Sequence, residues 1–379
     1  MKFHMPTAII FAQGAISGLG EIAHGQLHSS RPLVITDRGI IGSGIAEKAM
    51  SQLAGAPVFD EVEPNPRHTT VDRGGEIARK YKPDLIVGLG GGSVLDAAKA
   101  ISLLVTNPGR IEEFEGREKY RVSPIPVLAV PTTCGTGSEV TWVSVITHTG
   151  RKFKMSIKGP RLYPVVALVD PDLLVTLPRR LIGSTGLDAL THAIEAFTAK
   201  PATVFTDALA LEALRLIFRY LPEAYQDIQK NSAAREKLML GSLLAGMAFG
   251  NSDVGAVHCL AESVGSLYDT PHGVANAVFL PAVMEFNLEA AEAKYARIAR
   301  VAGIEAGSGR EAALRLIARI REISRDLSIP LFRELNIPEG DFPVIAQKSF
   351  ANNSNPSNPR EAAAADYLGI LRRVNQNAL

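Results

Sequence analysis

Residues 83–105 read PDLIVGLGGGSVLDAAKAISLLV, and this segment indicates the fold class most clearly. The run LIVGLG has the length and apolar character of a buried strand, whereas SVLDAAKAISLLV has the apolar spacing of a helix. Only a glycine turn separates the two segments. A strand that passes directly into a helix is the repeating unit of a parallel sheet, so we expect this unit elsewhere in the chain.

The first half of the chain repeats this alternation of short apolar runs and helical patterns. Strands are predicted at 31–37, 56–62, 83–92, 123–133 and 164–170, and helices at 44–55, 68–81 and 93–105. The segment 141–157, with the turn signal HTGR, is predicted to form a hairpin. Together these elements predict an α/β domain in which a Rossmann-like parallel sheet has helices on both faces.

Strand signals nearly vanish after residue 177. Long segments between 202 and 327, and a last one at 361–374, have helical apolar spacing. The second half is therefore predicted to be an all-α domain. We place the domain boundary near Leu177-Pro178, which gives an α/β domain at 1–177 and a helical domain at 178–379.

The composition is that of an ordinary globular protein, with 46% hydrophobic residues and a net charge of +1 over 379 residues. A near-neutral chain offers no basic face, which argues against nucleic acid and anionic membranes as partners. The two cysteines, Cys134 and Cys259, do not indicate a disulfide framework. The first residues lack the pattern of a secretory signal, and no apolar run is long enough to span a membrane. A cytoplasmic location is expected.

The segment GLGGGS, residues 88–93, follows a predicted strand and opens a helix. Glycines let the backbone approach a pyrophosphate, and the N–H groups at a helix N-terminus favour an anion. Gly91, Gly92 and Ser93 are therefore candidate contacts of a dinucleotide. The G-x-G-x-x-G fingerprint fails at Ser93, so a tight strand-to-helix turn without a ligand remains an alternative.

Two further strand ends have polar residues suited to a dinucleotide. Asp37 closes the first predicted strand, where its carboxylate can accept bonds from both ribose hydroxyls of an adenosine. A 2′-phosphate would be repelled there, which favours NAD(H) over NADP(H). The segment PTTCGTGSE at 131–139 supplies hydroxyls, glycines and backbone donors. Since ligands bind at the carboxyl ends of parallel strands, we expect one dinucleotide site here, although each feature alone also fits an ordinary turn.

Four residues in the helical half form a candidate metal site: Asp188, His192, His258 and His272. Asp188 and His192 are four residues apart, which places them on one face of a helix with roughly 5–6 Å between Cβ atoms. His272, between a proline and a glycine, is expected in a loop. One carboxylate and three imidazoles, without clustered thiolates, form a ligand set for a divalent metal that keeps a position open for substrate.

Two glutamates lie close in sequence to these candidate ligands. Glu262 follows His258 by four residues, so it can orient that ring, relay protons or form a surface ion pair. We include Glu262 among the candidate catalytic residues. Glu195 follows His192 by three residues and can orient that ring, although a solvated position is favoured for it.

Five segments together resemble the iron-containing alcohol dehydrogenases, the group that includes lactaldehyde reductases and propanediol dehydrogenases. They are GGGSVLDAAK, PTTCGTGSEVT, GLDALTHAIEAFT, AGMAFGNSDVGAVHCLAE and DTPHGVANAVFLP. The resemblance runs from FAQGAI at 11–16 to NPREA near the end of the chain. It implies the two-domain fold shared with dehydroquinate synthase, with an α/β dinucleotide-binding domain and an all-helical metal-binding domain.

The resemblance also implies which residues form the sites. It places the metal ligands at Asp188, His192, His258 and His272, with Fe(II) as the metal, although Zn(II) or another divalent ion also suits such a site. The candidate cofactor contacts are Asp37, Asn65, Gly91, Gly92, Ser93, Asp96, Thr132, Thr133, Thr136 and Lys154. One position departs from the family pattern, because Glu262 stands where many members have a second histidine, a proposed proton-transfer group.

The chain is therefore expected to be a metal-dependent, NAD(P)-linked alcohol dehydrogenase that transfers a hydride between a small primary alcohol and its aldehyde. The alcohol oxygen is expected to take the open position of the metal. The alternatives are a lyase of the dehydroquinate synthase type and a non-catalytic metal- or nucleotide-binding protein on the same scaffold. Among oxidoreductases, a hydroxy acid, a semialdehyde or a phosphonate alcohol remains open as the substrate. A homodimer or larger homo-oligomer is expected.

Overall fold

The computed structural model describes residues 1–376, which form two compact units. The sheet unit comprises Met5–Thr133 and Gly137–Leu177, and the helical unit comprises Met1–His4, Cys134–Thr136 and the chain from Pro178 onward. We therefore propose domains at 1–177 and 178–379, with the two short segments 1–4 and 134–136 assigned to the helical domain.

Within the described residues, the sheet unit has nine short strands. They are β1 (Ala8–Phe11), β2 (Pro32–Ile35), β3 (Val58–Phe59), β4 (Leu85–Gly90), β5 (Gly116–Arg117), β6 (Val127–Pro131), β7 (Val143–His148), β8 (Phe153–Lys158) and β9 (Val166–Val169). Six strands form a parallel sheet in the order β1-β9-β6-β4-β2-β3. β7 and β8 form the predicted antiparallel hairpin, with β5 beside β8.

The four inner strands of the parallel sheet, β2, β4, β6 and β9, are buried throughout, which explains why they are continuous apolar runs. The helices of this unit are α1 (Arg38–Gly42), α2 (Ile45–Met50), α3 (His68–Tyr81) and α4 (Gly92–Thr106). Leu33 and Ile35 of β2 contribute to one core with α3 and α4, whereas Val34 contributes to a second core with α2. The α/β architecture predicted from the sequence is confirmed.

Three strands differ from the sequence prediction, because β1 and the two-residue β5 were not predicted and β3 is shorter than expected. β1 was not predicted, and it is defined by parallel pairing of Ala8–Phe11 with Val166–Val169, about 158 residues later in the chain. β3 has two residues where the sequence predicted a strand over 56–62, because it lies at the sheet edge and pairs only with β2. The bounds of β1 and β3 thus depend on pairing with other strands, which local composition does not encode.

The helical unit contains the long helices predicted for the second half. The helices of this unit are α5 (Arg179–Thr198), α6 (Val204–Asp227), α7 (Ser232–Phe249), α8 (Ala256–Tyr268), α9 (His272–Val301), α10 (Gly309–Asp326), α11 (Phe342–Phe350) and α12 (Ala364–Gln376). The sequence did not predict the short helix α11. None of the helices in the described part of the chain is both long and apolar enough to cross a membrane.

α9 begins earlier than the sequence indicated. His272, expected in a loop, is the first residue of α9, and Pro271 is its N-cap. Pro271 suits this position because the first turn of a helix has no use for its missing N–H group. A Cβ at Gly273 would lie 2.4 Å from the carbonyl oxygen of Ser184, so glycine at this position lets α9 approach α5 closely.

Candidate metal and nucleotide sites

Three helices bring the four predicted metal ligands together in the helical unit. Asp188 and His192 lie one turn apart on α5. His258 is the third residue of α8, and His272 begins α9. One ligand atom from each of the four side chains lies within 4.8 Å of the other three. Residues from three separate segments therefore converge on one point.

The cluster is buried and opens on one side. Nε2 of His192 lies 3.0 Å from Nε2 of His258, and Oδ1 of Asp188 lies 3.8 Å from Nε2 of His272. The ring of His192 stacks on Phe249 with 4.2 Å between ring centroids. The His272 side chain is 27% exposed, whereas those of Asp188 and His258 are 2% and 4% exposed. Of these three residues, His272 is therefore the most exposed to solvent.

Burial and charge shift the pKa values of the cluster in opposite directions. Burial alone would raise the pKa of the Asp188 carboxyl, but the neighbouring imidazoles outweigh it and hold this pKa below its ordinary value. Burial lowers the pKa of His192 to about 4, despite the opposing charge of Asp188. Asp188 is therefore ionised and His192 neutral near pH 7, which are the protonation states in which these groups bind metals.

Glu195 is the residue whose environment the sequence prediction got wrong. It is buried rather than solvated, and its Oε2 lies 2.5 Å from Nδ1 of His258 rather than beside His192. Its Oε1 accepts a hydrogen bond from the backbone N–H of Val257 at 2.8 Å. When Nδ1–H of His258 donates to Glu195, the neutral ring presents its Nε2 lone pair to the cluster. Glu195 contacts His258 because α8 packs close to α5, and residue spacing within α5 does not reveal this packing.

The same contact acts on the proton affinity of His258. Burial lowers the pKa of this imidazole, but the hydrogen bond and the charge of Glu195 outweigh burial and raise it. A carboxylate behind a ligating imidazole increases the basicity of the ring as a metal ligand. Glu195 therefore affects both the orientation and the electron-donating power of His258.

Asn276 is a further site residue that the sequence reasoning missed. It is fully buried on α9, and its Nδ2 donates to Oδ1 of Asp188 at 2.6 Å. The same nitrogen lies 3.1 Å from Nε2 of His258 and 3.2 Å from Nε2 of His272. The amide thus fixes the orientation of the Asp188 carboxylate and favours its charged form. The only sequence signal for this residue was its four-residue spacing from His272.

Glu262 lies on α8, one turn after His258, as predicted. Its Oε2 accepts a hydrogen bond from Nδ2 of Asn352 at 2.6 Å. The contact with the His258 ring that the spacing allowed for Glu262 is made by Glu195 instead. A part for Glu262 in proton transfer remains a prediction.

The glycine loop of the sheet unit joins β4 directly to α4. β4 ends at Gly90, Gly91 is the N-cap and the helix begins at Gly92. A Cβ at Gly90 would lie 2.6 Å from Cγ2 of Val94, so this tight turn requires glycine. In the described structure no side chain caps this helix N-terminus, which suits it to hold an anion.

Several candidate cofactor contacts lie at the carboxyl ends of neighbouring strands. Asp37 follows β2, Ser93 follows β4, and Thr132 and Thr133 follow β6, and these three strands are adjacent in the sheet. Oδ1 of Asp37 also accepts a hydrogen bond from the backbone N–H of Ile40 at 2.9 Å and so caps α1. Asp37 therefore has a structural role beside the predicted contact with ribose.

The remaining candidate contacts have partners inside the protein. Nζ of Lys154 donates to Oδ1 of Asn65 at 2.8 Å. The carboxylate of Asp96 accepts hydrogen bonds from Oγ of Ser138 and from the backbone N–H of Val145, at 2.6 and 2.9 Å. Thr136 belongs to the helical unit. Whether these residues contact a cofactor remains a prediction.

Comparison with known proteins gives matches over nearly the whole chain. Residues 6–171 match the model of the iron-containing alcohol dehydrogenases, and residues 182–375 match that of the C-terminal part of the Fe-containing alcohol dehydrogenase family. The chain is 41% identical to 1,3-propanediol dehydrogenase of Klebsiella pneumoniae, over 98% of this chain and 97% of that one. It is 36% identical to NAD-dependent methanol dehydrogenase of Bacillus methanolicus, over 98% and 99% of the two chains. The crystal structure of 1,3-propanediol oxidoreductase matches with a TM-score of 0.94 at 41% identity and covers 98% of this chain and 99% of that one.

A parallel sheet suited to a dinucleotide, together with a helical unit that gathers one carboxylate and three imidazoles, is typical of metal-dependent dehydrogenases. The chain belongs to the iron-containing alcohol dehydrogenase family, as its sequence motifs implied. It is an alcohol dehydrogenase, an oxidoreductase that acts on alcohols and aldehydes. The lyase and the non-catalytic alternatives are thereby set aside.

Proposed function

We propose that this enzyme binds NAD(H) and a divalent metal and transfers a hydride between a small primary alcohol and its aldehyde. The convergence of one carboxylate and three imidazoles in the helical unit is the observation that supports the proposal most strongly. The names of two relatives, 1,3-propanediol dehydrogenase and NAD-dependent methanol dehydrogenase, support the substrate class and the cofactor.

The donor set fits a divalent cation. Asp188 supplies an anionic oxygen, and the three histidines supply neutral nitrogens, as such ions require. The ligand atoms lie within 4.8 Å of one another, so small side-chain movements bring all four to metal bonds of about 2.0–2.2 Å. The short separation of 3.0 Å between Nε2 of His192 and Nε2 of His258 allows at most one proton between them.

The side chains around the cluster prepare it for catalysis. The chemistry that a bound cation supplies is Lewis-acid polarisation of the alcohol or carbonyl oxygen, and NAD supplies hydride uptake and return. Glu195 holds His258 so that Nε2 faces the cluster, and Asn276 holds the carboxylate of Asp188. Phe249 covers the ring of His192 and excludes water from that side. Glu262 is the proposed proton carrier, because it is a titratable group one turn from His258.

We propose Fe(II) as the metal, on the basis of family membership. The Irving–Williams order favours Zn(II) over Fe(II) at a site of nitrogen and oxygen ligands, so the isolated protein can contain either ion. The metal therefore has to be identified by elemental analysis together with activity.

Metal removal is expected to abolish turnover, because the Lewis acid contributes several kcal/mol of transition-state stabilisation. Anaerobic addition of Fe(II) should restore turnover, measured as NADH formation from 1,3-propanediol, with elemental analysis of the same samples. Equal addition of Mg(II), which prefers oxygen ligands, is the control and should restore little. Full turnover of the metal-stripped protein would contradict the proposal.

The dinucleotide is proposed to bind at the carboxyl ends of β2, β4 and β6. The uncapped N-terminus of α4 at Gly91–Ser93 suits the pyrophosphate, and the hydroxyls of Thr132 and Thr133 lie at the neighbouring strand end. Asp37, at the end of β2, is proposed to accept bonds from the adenosine ribose and to favour NAD(H) over NADP(H).

Replacing Asp37 is expected to change cofactor choice, and the structure provides a matched pair of variants. Asp37→Ser removes the charge but keeps a good N-cap for α1, whereas Asp37→Ala removes both and should cost about 1 kcal/mol of stability. Both variants should relax the preference for NAD over NADP, measured as the ratio of kcat/KM values. An unchanged ratio in Asp37→Ser would mean that this carboxylate does not contact the ribose.

The substrate class is tested with a panel of alcohols and aldehydes on Fe(II)-loaded protein, with NAD(H) and NADP(H) in parallel. The proposal expects the highest kcat/KM for small primary alcohols or their aldehydes with NAD(H). A hydroxy acid, a semialdehyde or a phosphonate alcohol that outperforms all of these would replace the proposed substrate. A cytoplasmic location and a homo-oligomeric state remain predictions from the sequence.

A further inference from the structure

We propose that His68, Glu112 and His148 form a second divalent-cation site, of the zinc class, within the sheet unit. One ligand atom from each of these three side chains lies within 4.8 Å of the other two, and all three residues are half-buried. Two imidazoles and one carboxylate form a ligand set common at zinc sites, with the fourth position left to water.

Three segments that are far apart in sequence bring these residues together. His68 is the first residue of α3, and His148 is the last residue of β7. Glu112 lies in a short 3₁₀ turn, Ile111–Phe114, which follows α4. The backbone N–H of Thr147 donates to the carbonyl oxygen of Pro66 at 2.7 Å, which holds the start of α3 against the end of β7. The scaffold of the site is therefore fixed by the fold.

The hydrogen bonds of His148 show where a cation would bind. Nδ1 of His148 accepts from the backbone N–H of Arg151 at 3.2 Å, so the proton of the neutral ring sits on Nε2. Nε2 lies 2.8 Å from Oε2 of Glu112. A cation that replaces this proton meets a nitrogen and a carboxylate oxygen together. The ring proton then moves to Nδ1, and the N–H of Arg151 turns to water, at low cost because Arg151 lies in an exposed turn.

A buried ring nitrogen of His68 is a second, independent observation in favour of a bound cation. Its Nδ1 is buried, and among the described residues it has no hydrogen-bond partner. Leaving a buried polar atom unsatisfied costs about 1–3 kcal/mol, so this nitrogen suits a bound group. The rings of His68 and His148 are stacked, with 4.2 Å between their centroids and an interplanar angle of 17°. A turn of one ring about χ2, which is a soft torsion, aims both rings at one cation.

The local charge also favours a cation. Asp72, one helical turn after His68, accepts a hydrogen bond from the backbone N–H of Ile111 at 2.8 Å and interacts electrostatically with His68 and Glu112. Arg110 partly offsets these carboxylates. A cation bound here joins α3, the 3₁₀ turn and β7, so it should stabilise the folded sheet unit by mass action.

The test counts the cations that the metal-stripped protein binds. Equilibrium dialysis against Zn(II), followed by elemental analysis, should give about two ions per chain in the unchanged protein and about one in His258→Ala. Adding Glu112→Gln, which is nearly isosteric, to His258→Ala should remove the remaining ion, and His68→Ala should do the same. Adding His4→Ala, a replacement at an exposed histidine, is the matched control and should leave that ion bound.

A thermal measurement tests the stabilising role. Zn(II) should raise the melting temperature of His258→Ala and leave that of His258→Ala/Glu112→Gln unchanged. The proposal is overturned if the unchanged protein binds one ion that His258→Ala loses, or if the second ion persists in both the Glu112→Gln and the His68→Ala variants.

Discussion

Replacing His258 by alanine is expected to abolish alcohol oxidation and to remove most of the bound catalytic metal. The substitution deletes one of four converging ligands. It also removes the His258 partner of the buried Glu195 carboxylate, which keeps its hydrogen bond from the backbone N–H of Val257. A loss of several kcal/mol of Lewis-acid stabilisation corresponds to a rate reduction of about a thousandfold or more. The measurements are NADH formation from the small primary alcohol that gives the highest kcat/KM in the substrate panel, and the metal content of the same preparation.

Folding has to be separated from ligand loss in this experiment. Breaking a buried pair by removing one partner destabilises a protein strongly, so the His258→Ala variant needs a circular dichroism spectrum and a melting temperature. The double variant His258→Ala/Glu195→Gln also removes the buried negative charge of Glu195, which has lost its histidine partner. It should recover part of the stability without recovering turnover. A His258→Ala enzyme with normal turnover and metal content would exclude His258 from the ligand set.

Replacing Glu195 by leucine is expected to weaken metal binding by about 10–100-fold, the effect typical of a residue that orients a metal ligand. The substitution removes the acceptor for Nδ1–H of His258, so this ring is free to rotate or to place its proton on Nε2. The metal affinity of Glu195→Gln should fall between those of Glu195→Leu and the unchanged enzyme. The amide keeps one acceptor oxygen, but its NH2 group faces the N–H donor of either His258 or Val257, where the carboxylate has a second oxygen. The measurement is a competition titration with a chelator of known affinity.

Glu262→Gln is the matched control for this experiment. Glu262 lies on the same helix as His258, but its carboxylate accepts from Asn352 and not from the histidine ring. The control should keep the metal affinity of the unchanged enzyme, while kcat falls if Glu262 transfers protons. A metal affinity that drops equally in Glu262→Gln and Glu195→Leu would mean that general loss of charge, and not the bond to His258, explains the effect.

Much of the fold could be predicted because its signals are local. The helix predicted at 68–81 has these bounds in the structure, and the glycine turn after residues 85–90 joins β4 to α4 as expected. The alternation of apolar strands and helices is a property of each segment by itself, since a strand buried on both faces must be apolar throughout. The candidate metal ligands were found for a similar reason, because Asp188 and His192 share one helical face at a fixed spacing.

Local sequence patterns therefore specify the secondary-structure elements and the residue types suited to a metal and a dinucleotide. The packing of the folded chain is needed to show that Glu195 contacts His258, that Asn276 binds Asp188, and that β1 pairs with β9. The two members of each pair are 63, 88 and about 158 residues apart. Hydrogen bonds reach only about 3 Å, so such partners are chosen by the way whole helices and strands pack, and no pattern within either segment specifies them.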